Sequence, residues 1–332
     1  MASARTASHP ASRGRKGTFG QATRILVGAP VDSGSGRRGC LMGPDAYRTA
    51  GIVSMLASLG HDVQDRGNLC PEGGAPPFPV REDAHANPVV HDFSRTLAWT
   101  RTLRRAAREA AEDGFPIFLG GDHSLSLGTM AGIADHAKEQ ERPLFVLWLD
   151  AHPDFHSPLS TRSGNLHGTP LAYAAGEKGF DGFPPFTLPL EGQQICVFGA
   201  RSIDGAEHER LIAGRVCVHD MRAVDEAGII GPISDFLDRV IAADGLLHVS
   251  LDVDFLDPEI APAVGTTVPG GATFREAHLV MELLHDSGRV TSLDLVELNP
   301  FLDVRGRTAR LMVDLTASLM GRKVFDRPTR SY

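Results

Sequence analysis

The segment LFVLWLDAHPDFH, Leu144 to His156, decides the architecture. Its first six residues are apolar without a break, which is strand length, and an apolar run with no polar alternation requires cover on both faces of the sheet. Asp150, His152, Asp154 and His156 then follow at every second position. In an extended chain alternate side chains project to one side, about 6.5 Å apart, so this strand delivers a D-x-H-x-D triplet from its carboxyl end.

The same rhythm extends in both directions. Further strands are predicted at Arg24–Val31, Pro116–Leu119, Ile195–Phe198, Val216–Val218, Leu246–Leu251 and Val290–Val296. Helical patterns run over Gly43–Leu59, Val89–Asp113, the stretch after Ser124, Val224–Ala243, Phe274–Ser287 and Gly306–Met320. Apolar strands alternating with amphipathic helices specify an α/β fold, a single domain with a mostly parallel sheet flanked by helices on both faces. The Pro/Gly-rich stretches Pro71–Pro79 and Gly179–Pro189 read as surface loops, because the alternation resumes on either side. We place the domain at residues 24–325. Residues 1–23 carry several arginines, no acid and no apolar core, and read as a disordered basic tail; an organellar transit peptide shares that composition.

Composition narrows the class of function. A chain of 332 residues at 42% hydrophobic can bury a large core, which excludes a disordered or fibrous protein. A formal net charge of −8 argues against nucleic acid or an anionic membrane as partner and favours a small molecule. The longest apolar runs are strand-sized, far short of the roughly 20 residues of a membrane helix. Four cysteines, Cys40, Cys70, Cys196 and Cys217, stand without C-x-x-C spacing and make no disulfide framework, which suits a reducing, cytoplasmic setting.

In a parallel sheet, ligands bind at the carboxyl ends of the strands. LLHVSLDVDFLDP, Leu246–Pro258, ends its apolar run in Asp252 and Asp254, and FLGGDHS, Phe118–Ser124, supplies Asp122 and His123 beside two glycines. Singly, a strand-end histidine or a D-x-D pair is usually an ordinary solvated group. Together, the four carboxylates Asp150, Asp154, Asp252 and Asp254 would repel one another and could not all stay ionised without cations. Two divalent ions balance them. An oxygen-rich set with one imidazole per ion and no thiolate suits Mn²⁺, with Co²⁺, Ni²⁺ or Fe²⁺ as alternatives. Two such ions sharing a water lower its pKa and present hydroxide to an electrophile, so the expected chemistry is metal-assisted hydrolysis. Asp122 reads as a group that orients the site rather than a ligand.

These motifs, with SGNLHG (Ser163–Gly168), VELNP (Val296–Pro300) and the stretch Gly28–Ile52, resemble the ordered signatures of the arginase/ureohydrolase family. The resemblance implies that His123, Asp150, Asp154 and Asp252 hold one manganese and His152, Asp150, Asp252 and Asp254 the other, with Asp150 and Asp252 bridging. It also implies that His167 is the proton shuttle and that Glu297 pairs with the substrate guanidinium, so that His167, Asp154 and Glu297 form the catalytic set. By the same resemblance the partners are a small guanidino substrate and further copies of the chain, in trimers or hexamers.

Within that family, Ser157–Gly168 looks most like arginase. The resemblance assigns Ser163 and Asn165 to a substrate carboxylate, Asp204 to an α-amino group, and adds Glu207 and Thr266 to the binding set. The implied reaction converts L-arginine to L-ornithine and urea. Two positions depart: His156 stands where many arginases carry Asn, and Ser202 where many carry Asp. His156 leaves open a guanidino acid such as 4-guanidinobutyrate, or agmatine. A dinuclear phosphoesterase and a catalytically silent metal-binding protein are the rival readings from other classes.

Overall fold

Among the described residues all seven strand pairings in the sheet are parallel, so each of these strands presents its carboxyl end to the same edge. The computed structural model describes residues 22–71 and 87–323; the basic tail up to residue 21, the Pro/Gly-rich loop from residue 72, and the last two residues of the expected domain lie outside it. The strands are β1 (Arg24–Ala29), β2 (Val63–Asn68), β3 (Phe115–Gly120), β4 (Leu144–Leu149), β5 (Ile195–Ala200), β6 (Cys217–Asp220), β7 (Leu246–Asp252) and β8 (Val290–Val296). Their spatial order is β2-β1-β3-β8-β7-β4-β5-β6. The last two strands in sequence therefore lie in the middle, and β3, β8, β7 and β4 form the centre of the sheet.

The six inner strands are buried almost throughout, whereas both edge strands are only partly covered. This is why β2, with sequence VQDRGN, escaped the search for apolar runs: an edge strand buries one side at most, and charge on it discourages pairing with another chain. Along β4, Phe145, Leu147 and Leu149 enter one apolar core while Leu144, Val146 and Trp148 enter the other. The first core is closed by α1 (Gly43–Thr49), α2 (Ile52–Ser58), α7 (Met221–Ala227), α8 (Ile230–Ala242), α9 (Phe274–Ser287) and α10 (Arg307–Leu319). The second is closed by α3 (Phe93–Asp113), α4 (Ser126–Glu139), α5 (Pro170–Ala174) and α6 (Gly205–Ala213).

Two expected helices are each split. Gly51, left-handed at φ +93°, separates α1 from α2, and Gly228, at φ +71°, separates α7 from α8; both hold a positive φ that interrupts a helix and that glycine adopts without steric cost. The sequence reading also missed α6, a nine-residue helix that starts behind a capping box of Asp204 and Glu207. Inside the core, Asp294 of β8 accepts hydrogen bonds from Ser126 (2.7 Å) and Thr129 (2.6 Å) at the start of α4. That buried link fixes α4, and with it the turn after β3, over the sheet centre.

Candidate active site

The four central strands each end in a residue aimed into one cavity of about 130 Å³, lined by His123, Asp150, Asp154, Asp252, Asp254 and Glu297, with His152, His156, His167 and Glu207 around them. After β3 the chain turns so sharply that a Cβ on Gly121 would lie 1.9 Å from the Val31 carbonyl oxygen, which only glycine avoids. Asp122 then accepts hydrogen bonds from the backbone N–H groups of Gly34 (2.7 Å), Ser35 (3.1 Å) and Ser124 (3.1 Å). It thereby holds the glycine-rich loop after β1, and Gly34 in turn accepts the N–H of His167 at 3.0 Å.

His123 projects Nδ1 toward Asp150 Oδ2 (3.1 Å), Asp154 Oδ2 (3.2 Å) and Asp252 Oδ2 (3.0 Å). Its orientation is fixed on the far side, where Nε2 lies 2.8 Å from the Ser250 hydroxyl and the ring stacks on Trp148 at 4.0 Å between centroids. His152 Nδ1 faces Asp254 Oδ2 at 3.1 Å and Asp150 Oδ1 at 3.5 Å. Asp150 thus offers one oxygen to each group. Backbone amides aim these carboxylates: His152 N–H donates to Asp150, Asp254 N–H to Asp252, and Ala151 N–H to Asp254.

The donor set fits divalent cations. His123 Nδ1 and Asp150 Oδ2 are buried and neither makes a hydrogen bond, although buried polar atoms almost always do. Burial and the nearby Asp150 raise Asp154 to about 7, and burial with Asp254 and Asp150 pushes Asp252 well above the usual carboxylate range. Burial opposes charge on His152, but Asp150 and Asp254 outweigh it and raise the ring to about 12. The carboxylates therefore draw compensating positive charge from protons, in the place where cations would supply it.

Beside this cluster His167 Nδ1 lies 2.9 Å from Glu297 Oε1, and the same oxygen accepts the N–H of His123 at 2.7 Å. Burial disfavours the imidazolium, yet Glu297 raises His167 to about 9; reciprocally, burial raises the Glu297 carboxyl and His167 brings it below its ordinary value. Asp154 (φ +46°) and Glu297 (φ +62°) both hold left-handed backbone, uncommon for non-glycine residues and a recurrent mark of functional sites.

The expected substrate-binding residues are divided. Glu207 and Thr266 line the cavity, and Thr266 donates to Asp254 at 3.0 Å, so its hydroxyl orients that carboxylate. His156 also lines it, with Nε2 2.9 Å from Asp204 Oδ2 and 3.8 Å from Glu207 Oε2. Asp204 is exposed and outside the lining set; its Oδ1 caps α6 by accepting from Ala206 and Glu207 N–H. Ser163 and Asn165 stand on the neighbouring loop, again outside the lining set, with the Ser163 hydroxyl accepting the Asn165 N–H at 3.2 Å. Two contacts were not foreseen: Ser250, a lone hydroxyl within an apolar strand, and Cys40, whose thiol lies 3.6 Å from Glu297 Oε2. No lysine or arginine lines the cavity among the described residues. Arg201, close by, spends its guanidinium on the carbonyls of Gly199, Asp254 and Val268.

A model of the arginase family matches residues 22–321. The chain is 58% identical over 308 residues to an arginase of Brucella melitensis, covering 92% of this chain and 99% of that one. It is 55% identical over 323 residues to an arginase of Agrobacterium fabrum, covering 97% and 98%. The crystal structure of arginase from Bacillus caldovelox superposes with a TM-score of 0.83 at 34% identity, covering 92% of this chain and all of that one.

Proposed function

The chain belongs to the arginase family and is an arginase-type amidinohydrolase, and from that premise we propose that it hydrolyses L-arginine to L-ornithine and urea with two Mn²⁺ ions. The observation that carries this reading is Asp150, one carboxylate shared between two His/Asp groups in the cavity that also contains the His167–Glu297 pair. His123, Asp150, Asp154 and Asp252 would hold one ion, and His152, Asp150, Asp252 and Asp254 the other. When bound, such ions acidify water to a nucleophile at neutral pH.

The residues divide the remaining work. Glu297, ionised and turned into the cavity, pairs with the planar guanidinium and orients it above the carboxylate cluster. Addition of water to the guanidino carbon is followed by cleavage of the bond to the amine. His167, kept protonated by Glu297, supplies the proton that the departing amine takes up. Farther out, Glu207 is the carboxylate we assign to the α-ammonium, because it is buried and lines the cavity while Asp204 is exposed and outside the lining set. His156, Ser163, Asn165 and Thr266 complete the outer wall, and among them we assign His156, which lines the cavity, to the α-carboxylate. A phosphoesterase reading would want a lysine or arginine to grip a phosphate, and among the described residues the cavity wall has neither. We further infer a cytoplasmic homo-oligomer, trimeric or hexameric, from the family membership and from the four free cysteines.

The test is urea release by the Mn²⁺-loaded protein from a panel of guanidino compounds. L-Arginine should exceed agmatine by at least about 10²-fold in kcat/KM, since agmatine leaves donors built for the carboxylate unpaired. Preference for agmatine or 4-guanidinobutyrate would overturn the substrate assignment and leave the amidinohydrolase chemistry standing.

A further inference from the structure

Two cysteines 21 positions apart in sequence meet on the sheet, outside the cavity lining. Cys196 of β5 and Cys217 of β6 are direct partners in the parallel ladder, so both side chains project from the same face. Strands in a sheet lie about 4.8 Å apart, within the Cα separation that a disulfide spans. Cys196 is fully buried, whereas Cys217, on the edge strand, is partly accessible. His219, two residues on, returns to the same face and brings Nε2 within 3.4 Å of Cys217 Sγ.

The surroundings of Cys217 favour its thiolate. Arg239 of α8 donates from Nη2 to Cys217 Sγ at 3.4 Å, and its other contacts are the Gln193 amide oxygen and the face of Phe236. Among the described residues it has no carboxylate partner, so its charge falls on the sulfur. Cys196 adds a hydrogen bond, and these contacts outweigh burial to lower Cys217 to about 4; the Cys196 thiol, next to it and buried, is pushed up and stays protonated. One cysteine is thus set up as an accessible nucleophile and its neighbour as a buried reserve thiol.

We propose that Cys196 and Cys217 form a peroxide-sensitive thiol pair, in which Cys217 is oxidised first and Cys196 converts it to a disulfide between β5 and β6. The oxidant is hydrogen peroxide. The Cys217 thiolate attacks one peroxide oxygen, the O–O bond breaks, and the leaving hydroxide takes up a proton to become water, which leaves Cys217 as a sulfenic acid. Cys196 sulfur then attacks the Cys217 sulfur; the S–S bond forms, the S–O bond breaks, and the Cys196 proton departs with the hydroxyl as a second water. Two thiols and one peroxide become one disulfide and two waters. Cys196, Cys217 and His219 also offer three donors within 4.8 Å of one another that a soft cation such as Zn²⁺ could use, but the Arg239 guanidinium on Cys217 opposes a second cation there.

The experiment treats the full-length, metal-loaded enzyme with stoichiometric peroxide and maps its cysteines by mass spectrometry. A Cys196–Cys217 linkage is expected, with exposed Cys70 left out of it. Cys196→Ser should instead trap Cys217 as a sulfenic acid that reacts with dimedone. In the untreated enzyme at pH 6, Cys217 should alkylate at least about tenfold faster than Cys70, and Arg239→Gln should remove most of that advantage. Alkylation of Cys217 no faster than of Cys70, or oxidation of Cys217 in the wild type without linkage to Cys196, would overturn the proposal. So would a bound Zn²⁺ that shields both thiols in the wild type and is lost in Cys196→Ser.

Discussion

His167 and Glu297 are joined at 2.9 Å, and the Glu297 oxygen that meets the imidazole also accepts the backbone N–H of His123. One carboxylate therefore ties the proton donor to the residue that heads the metal-type cluster. Replacing His167 by Ala should remove the donor without disturbing the four central carboxylates. We expect kcat to fall by about 10²–10³ with metal content unchanged. Steady-state kinetics with parallel metal analysis checks this, and an unimpaired variant removes His167 from the reaction.

Asp150 serves both His/Asp groups, so its loss should be worse than the loss of one ligand from one ion. Asp150→Ala is expected to abolish urea release and to lower bound metal below one ion per chain. Asp252→Ala should behave similarly, because in the proposed ligand set Asp252, like Asp150, serves both ions. Active protein with full metal content in either variant contradicts the assignment.

At the outer wall, the split between Asp204 and Glu207 yields opposite expectations. Asp204→Ala loses a helix cap and should cost about 1 kcal/mol of stability with a small change in KM. Glu207→Gln should raise KM for L-arginine by about tenfold and leave hydrolysis of 4-guanidinobutyrate, which has no α-ammonium, nearly unchanged. Melting curves and the two KM values distinguish the roles. His156→Asn should retain arginine hydrolysis if the histidine serves only as a donor to the carboxylate; a swing from 4-guanidinobutyrate toward arginine would make it the specificity determinant.

In the helix layer that closes the second core, Arg104 grips Asp135 through two bonds of 2.6 and 2.8 Å and joins α3 to α4. Burial raises the Asp135 carboxyl, but the bonds from Arg104 and Thr187 outweigh it, and the folded value lies below the ordinary one. A depressed folded pKa means that stabilisation is fully present above the unfolded value of about 3.9 and is lost as pH falls through the folded value. Asp135→Asn should therefore lower stability by about 1–2 kcal/mol at pH 7. The gap from wild type should close below about pH 3.9. Urea titrations at pH 7 and pH 3 provide the comparison.

What could be read in the chain follows from what each residue must bury. The inner strands announce themselves, since Leu144–Leu149 is apolar throughout and Leu246–Leu251 is apolar except for the buried His248 and Ser250. Strand β2 and helix α6 bury too little to leave such a trace. The cluster of His and Asp residues was legible because its members stand at or within a few positions of the ends of apolar runs. Ser250, Cys40 and the meeting of Cys196 with Cys217 depend on which strands become neighbours, and the chain encodes that order only through the assembled sheet. The division between Asp204 and Glu207 was hidden for a related reason: the two share one capping box three residues apart, and only the folded helix leaves Asp204 exposed while Glu207 is buried against the cavity.

The position of β7 and β8 bears on how the protein is made. Translation proceeds from the amino terminus, so β1 to β6 leave the ribosome before the two strands that fill the gap between β3 and β4. Until about residue 252 has emerged, the chain can build only two half-sheets, β2-β1-β3 and β4-β5-β6, and until about residue 296 β3 still lacks β8, so apolar strands stand with unpaired backbone groups. Such edges invite pairing with other nascent chains. A ribosome stalled after α8 would hold this protein in its most aggregation-prone form, and a chaperone that screens β3 and β4 would be most useful during synthesis of the final third.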